Sequence, residues 1–506
     1  MSSRLFGPTA ICVCIGSALA SDGLRVAAWN ISNYNGGNAA NIATAVYGQF
    51  NGRQFAPDVI LLQEIRSQSA LNSMVSALNN AAGSPGDWAG AQFFSGGGGG
   101  LNTALVYRQD KLDELGAFLI WPGSSTTNPR NIVRYDMRLD GYTSEEAVLS
   151  CYPVHMKAGS GSNDQNRRLI EGQRIRDDAQ NLPAGRHFIM GGDFNTQSSN
   201  QPGYQELVGN QTNNAGRFFD PINAPGTWNN NFTYRFIHTQ DPVGGGGMDD
   251  RYDQLLISAD LGDGVGLDYI GHFAQPWDLS TWDDPDHSYR CWGNDGSTFN
   301  QALRTNGNAA VGPAIAQALI LLGDNSGHLP VYLDLAVPAK AGADMAIDFG
   351  TVNIGQTAQM PLNVFNAGDV ARWGAGGIED LEYTLVAPAG FSVAAGPFTD
   401  AAGGGGNTHT VTMITSTPGV FNGTLIIQSN DPDSPMRTVS LTGEVAGAAC
   451  AADLAEPFGI LDLADINAFT QGFLNNDPIA DIAAPFGVFD LDDINLFVEL
   501  FVAGCE

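Results

Sequence analysis

The 506-residue chain is poor in basic residues: 23 lysines and arginines stand against 53 aspartates and glutamates, a formal net charge of −30. Such a surface repels phosphate backbones and anionic membranes on average. A polyanionic ligand therefore needs a local basic site, bound cations or high salt. This excludes nucleic-acid binding through overall charge, and it is also typical of a protein adapted to salt.

Long apolar runs are also lacking. Only the N-terminus carries one, "TAICVCIGSALA", which is too short to span a bilayer. It follows Arg4 and ends in Ala18-Leu19-Ala20, the pattern of a secretory signal with its small-residue cleavage site. We predict a signal peptide over 1–20, no membrane span, and a protein that is secreted or attached to the cell surface.

Cysteine is scarce, and removal of the signal peptide leaves four: Cys151, Cys291, Cys450 and Cys505. An even number suits the oxidising compartment that export implies. Three pairings are open. We expect Cys450–Cys505, because these two bracket one short segment, and Cys151–Cys291 then follows by default.

Residues 22–337 mix short β-rich runs with helical spacing at 70–81 and 163–182, which predicts an α/β domain. The second helix carries Arg167, Arg168, Arg174 and Arg176, which we expect on a solvated face. Residues 258–320 show no clear periodicity and are interpreted as an insertion. Residues 336–344 are interpreted as a linker.

Polar side chains stand at the ends of several predicted strands: Asn30, Glu64, His155, Asp193, Asn195, Asp253 and His328. Taken singly, each is typical of a turn cap. Together they supply the carboxylates, amides and histidines that metal-assisted phosphoester hydrolysis needs. In "HFIMGGDFNT", residues two apart share a strand face, so Asp193 and Asn195 are expected to point the same way, with Gly191 and Gly192 keeping bulk away from a ligand.

The motifs "WN", "LLQE", "GGDFNT" and "RYDQLL", in this order, resemble those of the endonuclease/exonuclease/phosphatase superfamily. That superfamily includes pancreatic-type deoxyribonucleases, abasic-site endonucleases, bacterial sphingomyelinases and inositol polyphosphate phosphatases. The resemblance implies that 22–337 is a catalytic domain with a four-layered α/β sandwich, two packed β-sheets flanked by helices. It also implies a Mg²⁺ (or Mn²⁺) cofactor.

The resemblance further implies roles for the metal-side residues. Glu64 is the main metal ligand with Asn30 beside it, and Asp193 binds the metal or orients and deprotonates the attacking water. Asn195 holds a phosphate oxygen.

The remaining roles belong to the phosphate side. His155 and His328 flank the scissile phosphate, Asp253 orients His328, and Arg130 contacts phosphate. One position departs from the family pattern: Gly327 stands where an Asp usually precedes the last histidine. Asp324 or Asn325, or else Asp249 and Asp250, are the expected substitutes.

Three functions are open at this stage. The first is an extracellular nuclease or related phosphodiesterase whose partner is nucleic acid. The second is a phosphatase or sphingomyelinase-like phospholipase of the same fold. The third is a non-catalytic surface scaffold that has lost activity at Gly327.

From 345 to 446 the pattern changes to short alternating strands without a convincing helix, which predicts a β-sandwich. "IDFGTVNIGQ" and "GTLIIQSNDPDSP" resemble Ig-like modules of the abnormal-spindle and Hydin type. The resemblance implies a spacer or adhesion role, because the segment carries no catalytic set.

Residues 450–506 hold an internal repeat with a period of 28, in which three aspartates recur: Asp453, Asp462 and Asp465 match Asp481, Asp490 and Asp493. Each unit is an acidic loop with a glycine, followed by an apolar helix, which is the plan of a calcium loop. The pair resembles a dockerin domain ending in Gly-Cys, which implies Ca²⁺ and a cohesin-like partner. The alternative is a disulfide-clipped helical pair whose acids only interact with solvent.

Overall fold

The computed structural model describes residues 22–96, 98–324, 327–447 and 450–504. The predicted signal peptide, Asn325 and Cys505 lie outside these residues. Within the described ranges, no helix is long and apolar enough to cross a membrane.

The first part of the chain is a mixed α/β structure. Its helices are α1 (Ala39–Tyr47), α2 (Gln68–Asn79), α3 (Ser162–Ala179), α4 (Pro202–Val208) and α5 (Gly312–Leu322). Its strands are β1 (Leu24–Asn30), β2 (Gln49–Phe50), β3 (Arg53–Gln54), β4 (Val59–Ile65), β5 (Trp88–Gly90), β6 (Asn102–Arg108), β7 (Leu112–Trp121), β8 (Ile132–Leu139), β9 (Val148–His155), β10 (His187–Asp193), β11 (Asp253–Ile257), β12 (Asp268–Tyr269), β13 (Arg290–Cys291) and β14 (Val331–Ala336).

These strands form two main sheets. The first has the order β12-β14-β1-β4-β6-β5, with β13 also paired to β14, and the second has the order β11-β10-β9-β8-β7. In each sheet one central pair is parallel, β1 with β4 and β9 with β10. The central strands are buried along nearly their whole length, which explains runs such as "VILLQEI" with little alternation.

The two sheets pack face to face, since β1 contacts β10 and β11, and β4 contacts β9. At Gly191 they approach so closely that a Cβ atom would lie 3.1 Å from the Cβ of Ala28 and 3.2 Å from the side chain of Leu61, both on the first sheet. Helix α2 contacts β4 and β5, while α3 and α4 pack on the second sheet through Ile175 and Leu207. The layers therefore run helices, sheet, sheet, helices.

Two helices follow the predicted spacing and others do not. Helices α2 and α3 fall where 70–81 and 163–182 predict them. Most of helix α5 lies within residues 258–320, the stretch interpreted as an insertion, and the helix ends at Leu322. It packs against α1 and is apolar around most of its surface. A helix with so few polar residues lacks the polar face on which periodicity depends.

The prediction that the α3 arginines lie on a solvated face is wrong for Arg167, Arg168 and Arg176, which are buried. Their guanidinium groups donate to backbone carbonyls of neighbouring loops: Arg168 to Lys157 and Gly159, and Arg176 to Glu206 and Gly209. A fork of up to five N–H donors can satisfy several loop carbonyls at once. The helix therefore anchors the loops around it.

The second part contains β15 (Ala341–Ala343), β16 (Ala346–Asn353), β17 (Ala358–Asn366), β18 (Leu381–Val386), β19 (Phe391–Ser392), β20 (Phe398–Asp400), β21 (Asn407–Met413), β22 (Gly419–Ser429), β23 (Met436–Ala446) and the short helix α6 (Val370–Trp373). They form two sheets, β15-β17-β21-β19 and β16-β23-β22-β18-β20, over a shared apolar core. A two-sheet β structure is what the alternating pattern predicts, and its Ig-like character stays a prediction.

The linker prediction for 336–344 is wrong. Ala341 to Ala343 form β15, and Tyr142 donates to the carbonyl of Pro338 at 2.5 Å. Trp373 is buried against the first part, with the Lys111 ammonium 4.4 Å from its ring centre. The two parts therefore share an extensive contact.

The third part contains α7 (Leu463–Asn475) and α8 (Leu491–Ala503), which meet through stacked Phe469 and Phe497 with ring centres 4.0 Å apart. Cys450 is disulfide-bonded, and its predicted partner Cys505 lies outside the described residues. The default pairing of Cys151 with Cys291 is wrong, since both are buried free thiols. Cys151 lies in β9, in the second sheet, whereas Cys291 lies in β13 on the first, so the two belong to different sheets.

Candidate active site

Five predicted side chains meet at one edge of the sandwich because of strand direction. β1, β4, β9 and β10 all end at this edge, which carries Asn30, Glu64, His155 and Asp193. β11 runs antiparallel to β10, so it begins where β10 ends and places Asp253 opposite Asp193. Parallel pairing of β9 with β10 places His155 on the other side of Asp193.

Two carboxylates face one amide at the centre of this edge. The Nδ2 atom of Asn30 lies 3.2 Å from Oε1 of Glu64 and 3.2 Å from Oδ2 of Asp193. The second oxygen of Glu64 accepts from the backbone N–H of Asn33 at 2.7 Å. Asn33 was not predicted, and no sequence signal marks a backbone donor.

Glu64 adopts an unusual backbone conformation, with a φ of 64°. It sits at an irregularity between Leu62 and Ile65, where β4 loses its regular pairing with β6. Left-handed backbone at a non-glycine residue is uncommon and clusters at functional sites. The bulge re-aims the Glu64 side chain towards the edge.

Asn195 reaches the site in a different way from that predicted. β10 ends at Asp193, and Asn195 has a φ of 50°, so the alternation of a strand does not set its direction. Its backbone N–H donates to Oδ1 of Asp193 at 2.9 Å, and its Nδ2 donates to the carbonyl of Met156 at 3.2 Å. Asn195 thus fixes one oxygen of Asp193.

The glycines before Asp193 make room for protein atoms, so the prediction that they make room for a ligand is wrong. Gly192 has a φ of 142°, and a Cβ there would lie 2.1 Å from the carbonyl oxygen of Val154 and 2.6 Å from Nε2 of Gln63. Only glycine tolerates this approach.

His328 and Asp253 form a buried pair, with His328 Nδ1 2.7 Å from Asp253 Oδ2. Burial disfavours the charged imidazole, but the charge of Asp253 and its hydrogen bond raise the pKa of His328 to about 10. Nε2 of His328 lies 3.0 Å from the terminal amide of Gln240, whose oxygen can turn to accept from a charged imidazole, and 3.9 Å from Oδ2 of Asp193. Gln240 lies in an irregular loop, and no sequence motif marks it as a site residue.

His155 differs from His328 in its charge. Its Nε2 lies 3.4 Å from Asp193 Oδ2 and 3.9 Å from Glu64 Oε1. Burial, together with the positive charges of Arg130 and His328, lowers its pKa well below the usual value. One histidine is therefore held neutral and the other is held as a cation.

Asp193 stands between these groups and is buried. Burial raises its pKa above the usual range, with the charges of Asp253 and Glu64 adding to the effect while His328 opposes it. A carboxylate with a raised pKa is suited to exchanging a proton near neutral pH.

Arg130 lies at the edge of the site. Its Nη1 donates to the carbonyls of His155 and Met156 at 3.3 and 3.0 Å. Because Asn195 also donates to Met156, these residues form one wall beside Asp193.

Gly327 has no room for the aspartate that the family pattern places there. A Cβ would lie 2.9 Å from the Cα of Gly323 and 2.9 Å from Val243. Of the expected substitutes, Asp324 reaches the metal-side loop, since its Oδ2 accepts from Asn33 Nδ2 at 3.2 Å.

The other two substitutes lie elsewhere in the network. Asp250 accepts from Nδ2 of Asn229 at 2.6 Å, so it is engaged by an amide. Burial and the neighbouring charge of Asp250 raise the pKa of Asp249 to about 6.

The donor atoms fit a small hard cation. Within the part of the chain that the structure describes, no three His, Cys, Asp or Glu side chains are grouped to hold a metal ion. Mg²⁺ does not need three, because it keeps several waters and is usually held by one or two carboxylates together with substrate phosphate. Glu64 and Asp193 supply two carboxylates whose oxygens face the same Asn30 amide.

The sequence model of the Endonuclease/Exonuclease/phosphatase family matches residues 27–304, more than half of the chain. The chain belongs to this family. Its members hydrolyse phosphoester bonds, so the protein is a phosphoesterase-type hydrolase by family. The match ends before His328, and the position of His328 beside Asp253 rests on the structure. No curated protein matches the chain.

Solved structures with a similar fold include the human Nocturnin catalytic domain with bound sulfate (14% identity, 62% of this chain and 94% of that chain, TM-score 0.34). Two others are an endonuclease/exonuclease/phosphatase from Bacteroides vulgatus (12%, 62% and 98%, 0.37) and a mannosyl-6-phosphatase from Bacteroides thetaiotaomicron (14%, 62% and 100%, 0.34). Likenesses of this strength carry no information on substrate.

The six aspartates of the C-terminal repeat act mainly as caps. Oδ1 of Asp465 accepts from the backbone of Leu454 and Ala455, and Asp493 repeats this with Ile482 and Ala483. Asp462 and Asp490 cap α7 and α8, while Asp453 and Asp481 each accept from a loop glycine. These contacts order the loops, and calcium binding stays a prediction.

Proposed function

We propose that the protein is a secreted, divalent-metal-dependent phosphodiesterase that cleaves DNA or related phosphodiesters by attack of an activated water. The observation that carries this proposal is the convergence of Glu64 and Asp193 on Asn30, with a cationic His328 3.9 Å from Asp193. Family membership supports phosphoester chemistry, and the retained set of side chains favours an active enzyme over a scaffold.

Glu64 and Asp193 would hold Mg²⁺ or Mn²⁺, with Asn30 beside them. When bound, the cation neutralises the negative charge that makes a phosphodiester resist attack. The bulge at Glu64 and the hydrogen bond from Asn33 orient one carboxylate, and the backbone of Asn195 orients the other. The protein thus supplies a preorganised oxygen-rich edge at which phosphate can bind.

Proton movement falls to Asp193 and the histidines. In this proposal Asp193 orients the attacking water and accepts its proton. His328 Nε2 donates a hydrogen bond to a phosphate oxygen as negative charge grows, and Asp253 keeps the imidazole positively charged. Neutral His155 lies on the opposite side of Asp193 from His328 and would donate a hydrogen bond from Nε2 to the scissile phosphate. The Asn195 amide would hold a phosphate oxygen.

We propose that the other parts place the enzyme outside the cell. The 345–446 segment would serve as an Ig-like spacer, and the C-terminal repeat as a dockerin-like module that binds a cohesin-like protein, with Ca²⁺ in its loops. The repeat contains eleven acidic residues and no lysine or arginine, so a cation would relieve its charge repulsion.

A substrate panel tests this function. The full chain is assayed against plasmid DNA, RNA, bis(p-nitrophenyl) phosphate and sphingomyelin, with Mg²⁺, Mn²⁺ and Ca²⁺ in turn. Metal-dependent cleavage of nucleic acid, abolished by chelation, supports the proposal. Release of phosphocholine alone replaces it with a sphingomyelinase, and no turnover of any substrate contradicts it.

A further inference from the structure

A basic cavity opens beside the candidate active site. It has a volume of about 580 Å³ and is lined by Arg130, Lys157 and Arg167 together with Ser124 and Ser125. Three cations around one cavity stand out in a chain with a net charge of −30. Because like charges repel, such a cluster is stabilised by an anionic ligand.

The cations of this cavity are held in place by the protein. Arg167 is buried and donates to the carbonyls of Thr127 and Ser124 at 2.5 and 3.0 Å. Lys157 pairs with Asp164 at 2.9 Å, which leaves the cavity with a net positive charge. Burial raises the pKa of the nearby Glu171 to about 8, so this carboxyl is mostly uncharged at neutral pH and does not cancel the arginines.

Arg130 joins the cavity to the candidate active site. It lines the cavity while its Nη1 contacts the carbonyls of His155 and Met156. Lys157 follows Met156 directly in the chain. A ligand with one phosphate beside His155 can therefore extend past Arg130 and place a second phosphate between Lys157 and Arg167.

Trp121, two residues before Gly123 in the cavity lining, carries an exposed aromatic ring. Trp121 is 45% exposed, and the Arg174 guanidinium lies 4.0 Å from its ring centre. Arg174 is itself held by Oγ1 of Thr127, the residue whose carbonyl Arg167 contacts. A fixed, exposed indole beside a basic groove is the arrangement that stacks on bases of single-stranded nucleic acid.

We propose that this cavity binds the phosphate next to the scissile one in an oligonucleotide strand, and that Trp121 stacks on the adjoining base. This inference rests on the proposed phosphodiesterase function and names its substrate class. The inference explains how a strongly acidic protein can bind a polyanion, because the contact is confined to this basic cavity.

Binding without metal tests the phosphate part. The full chain, in a chelator, is titrated calorimetrically with 5′-phosphorylated dithymidine (two phosphates) and with dithymidine monophosphate (one phosphate). We expect wild type to prefer the two-phosphate ligand at least tenfold. Lys157→Gln should lose most of this preference, whereas Arg304→Gln, which removes an exposed charge that donates to the carbonyl of Ser297, should keep it. Equal affinities in wild type, or an unchanged preference in Lys157→Gln, overturn the inference.

Trp121→Ala distinguishes a nucleotide strand from a small bisphosphate. We expect it to weaken binding of the phosphorylated dithymidine about fivefold or more and to leave binding of fructose 1,6-bisphosphate unchanged. Equal loss for both ligands, or no loss for either, overturns the assignment of a nucleotide. Hydrolysis of bis(p-nitrophenyl) phosphate with Mn²⁺ is measured in parallel. Absence of this hydrolysis contradicts the proposed function. Absence of the preference for the two-phosphate ligand contradicts only the proposed role of the cavity.

Discussion

Oδ2 of Asp253 lies 2.7 Å from Nδ1 of His328, and both side chains are buried. The pair joins the start of β11 to the loop before β14, so it links the two sheets at the candidate active site. A buried carboxylate at this distance fixes the imidazole tautomer and favours its charged form. The pair is the main reason that His328 can serve as a cation at neutral pH.

Asp253→Asn tests this link. The variant should lower kcat for a phosphodiester about a hundredfold, because the imidazole loses its charge partner. It should also move the alkaline limb of the pH–rate profile to lower pH, because the pKa of His328 falls when the carboxylate is removed. Asp260→Asn, an exposed position on the second sheet's flank, serves as control. An unchanged alkaline limb in Asp253→Asn would show that Asp253 does not set the charge of His328.

Gly327→Asp tests whether the family's usual aspartate can be restored. We expect a melting temperature lower by several degrees and no gain in activity, because a Cβ at Gly327 meets Gly323 and Val243 at 2.9 Å. Gly327→Ala carries the same Cβ, so its melting temperature should fall by a similar number of degrees. Higher turnover with unchanged melting temperature in the Asp variant would mean that the loop can rearrange to accept the carboxylate.

Cys151 and Cys291 should remain free thiols in the purified protein. Burial raises the pKa of both thiols, so neither should react with iodoacetamide in the folded state. In denaturant without reductant, both should be alkylated, as read by peptide mass spectrometry. A Cys151–Cys291 cross-linked peptide would contradict the structure.

Glu379 should make stability depend on pH. Burial and the charges of Asp268 and Asp263 raise its pKa from 4.5 to about 8. Because the folded pKa lies above the unfolded value, the contribution of Glu379 is fully present below pH 4.5 and is lost as pH rises through about 8.

Glu379→Gln removes this dependence. The variant should melt like wild type at pH 4 and a few degrees above it at pH 9, a modest effect because the side chain is partly exposed. Its carboxylate accepts from the backbone of Gly266 at 2.6 Å, and glutamine can keep that bond through its amide oxygen. A variant that melts below wild type at pH 9 would show that the charged form of Glu379 stabilises the contact between the first and second parts of the chain.

The sequence was informative wherever a polar residue interrupts a buried strand. Asn30, Glu64, His155 and Asp193 could be predicted because each ends a run of apolar residues, and strand direction alone brings such ends together. Asp253 and His328 could be predicted in the same way, because Asp253 begins an apolar strand and His328 stands shortly before one. The mixed α/β class followed from the same runs.

Other features depend on tertiary contacts that no local pattern encodes. The left-handed backbone of Glu64 and Asn195 arises from the end of strand pairing at the edge. Arg167, Arg168 and Arg176 look like a solvated face until loops with unpaired carbonyls pack over them. Gln240 contributes through a loop without regular structure.

The most direct measurement is the turnover of bis(p-nitrophenyl) phosphate by the full chain with Mn²⁺, compared with Glu64→Gln and His328→Ala. Each variant removes one side of the site, the metal-binding carboxylate or the cationic histidine. The account predicts metal-dependent turnover in wild type, lost on chelation, and a loss of a hundredfold or more in each variant with circular dichroism unchanged. Equal turnover in wild type and in either folded variant would contradict it.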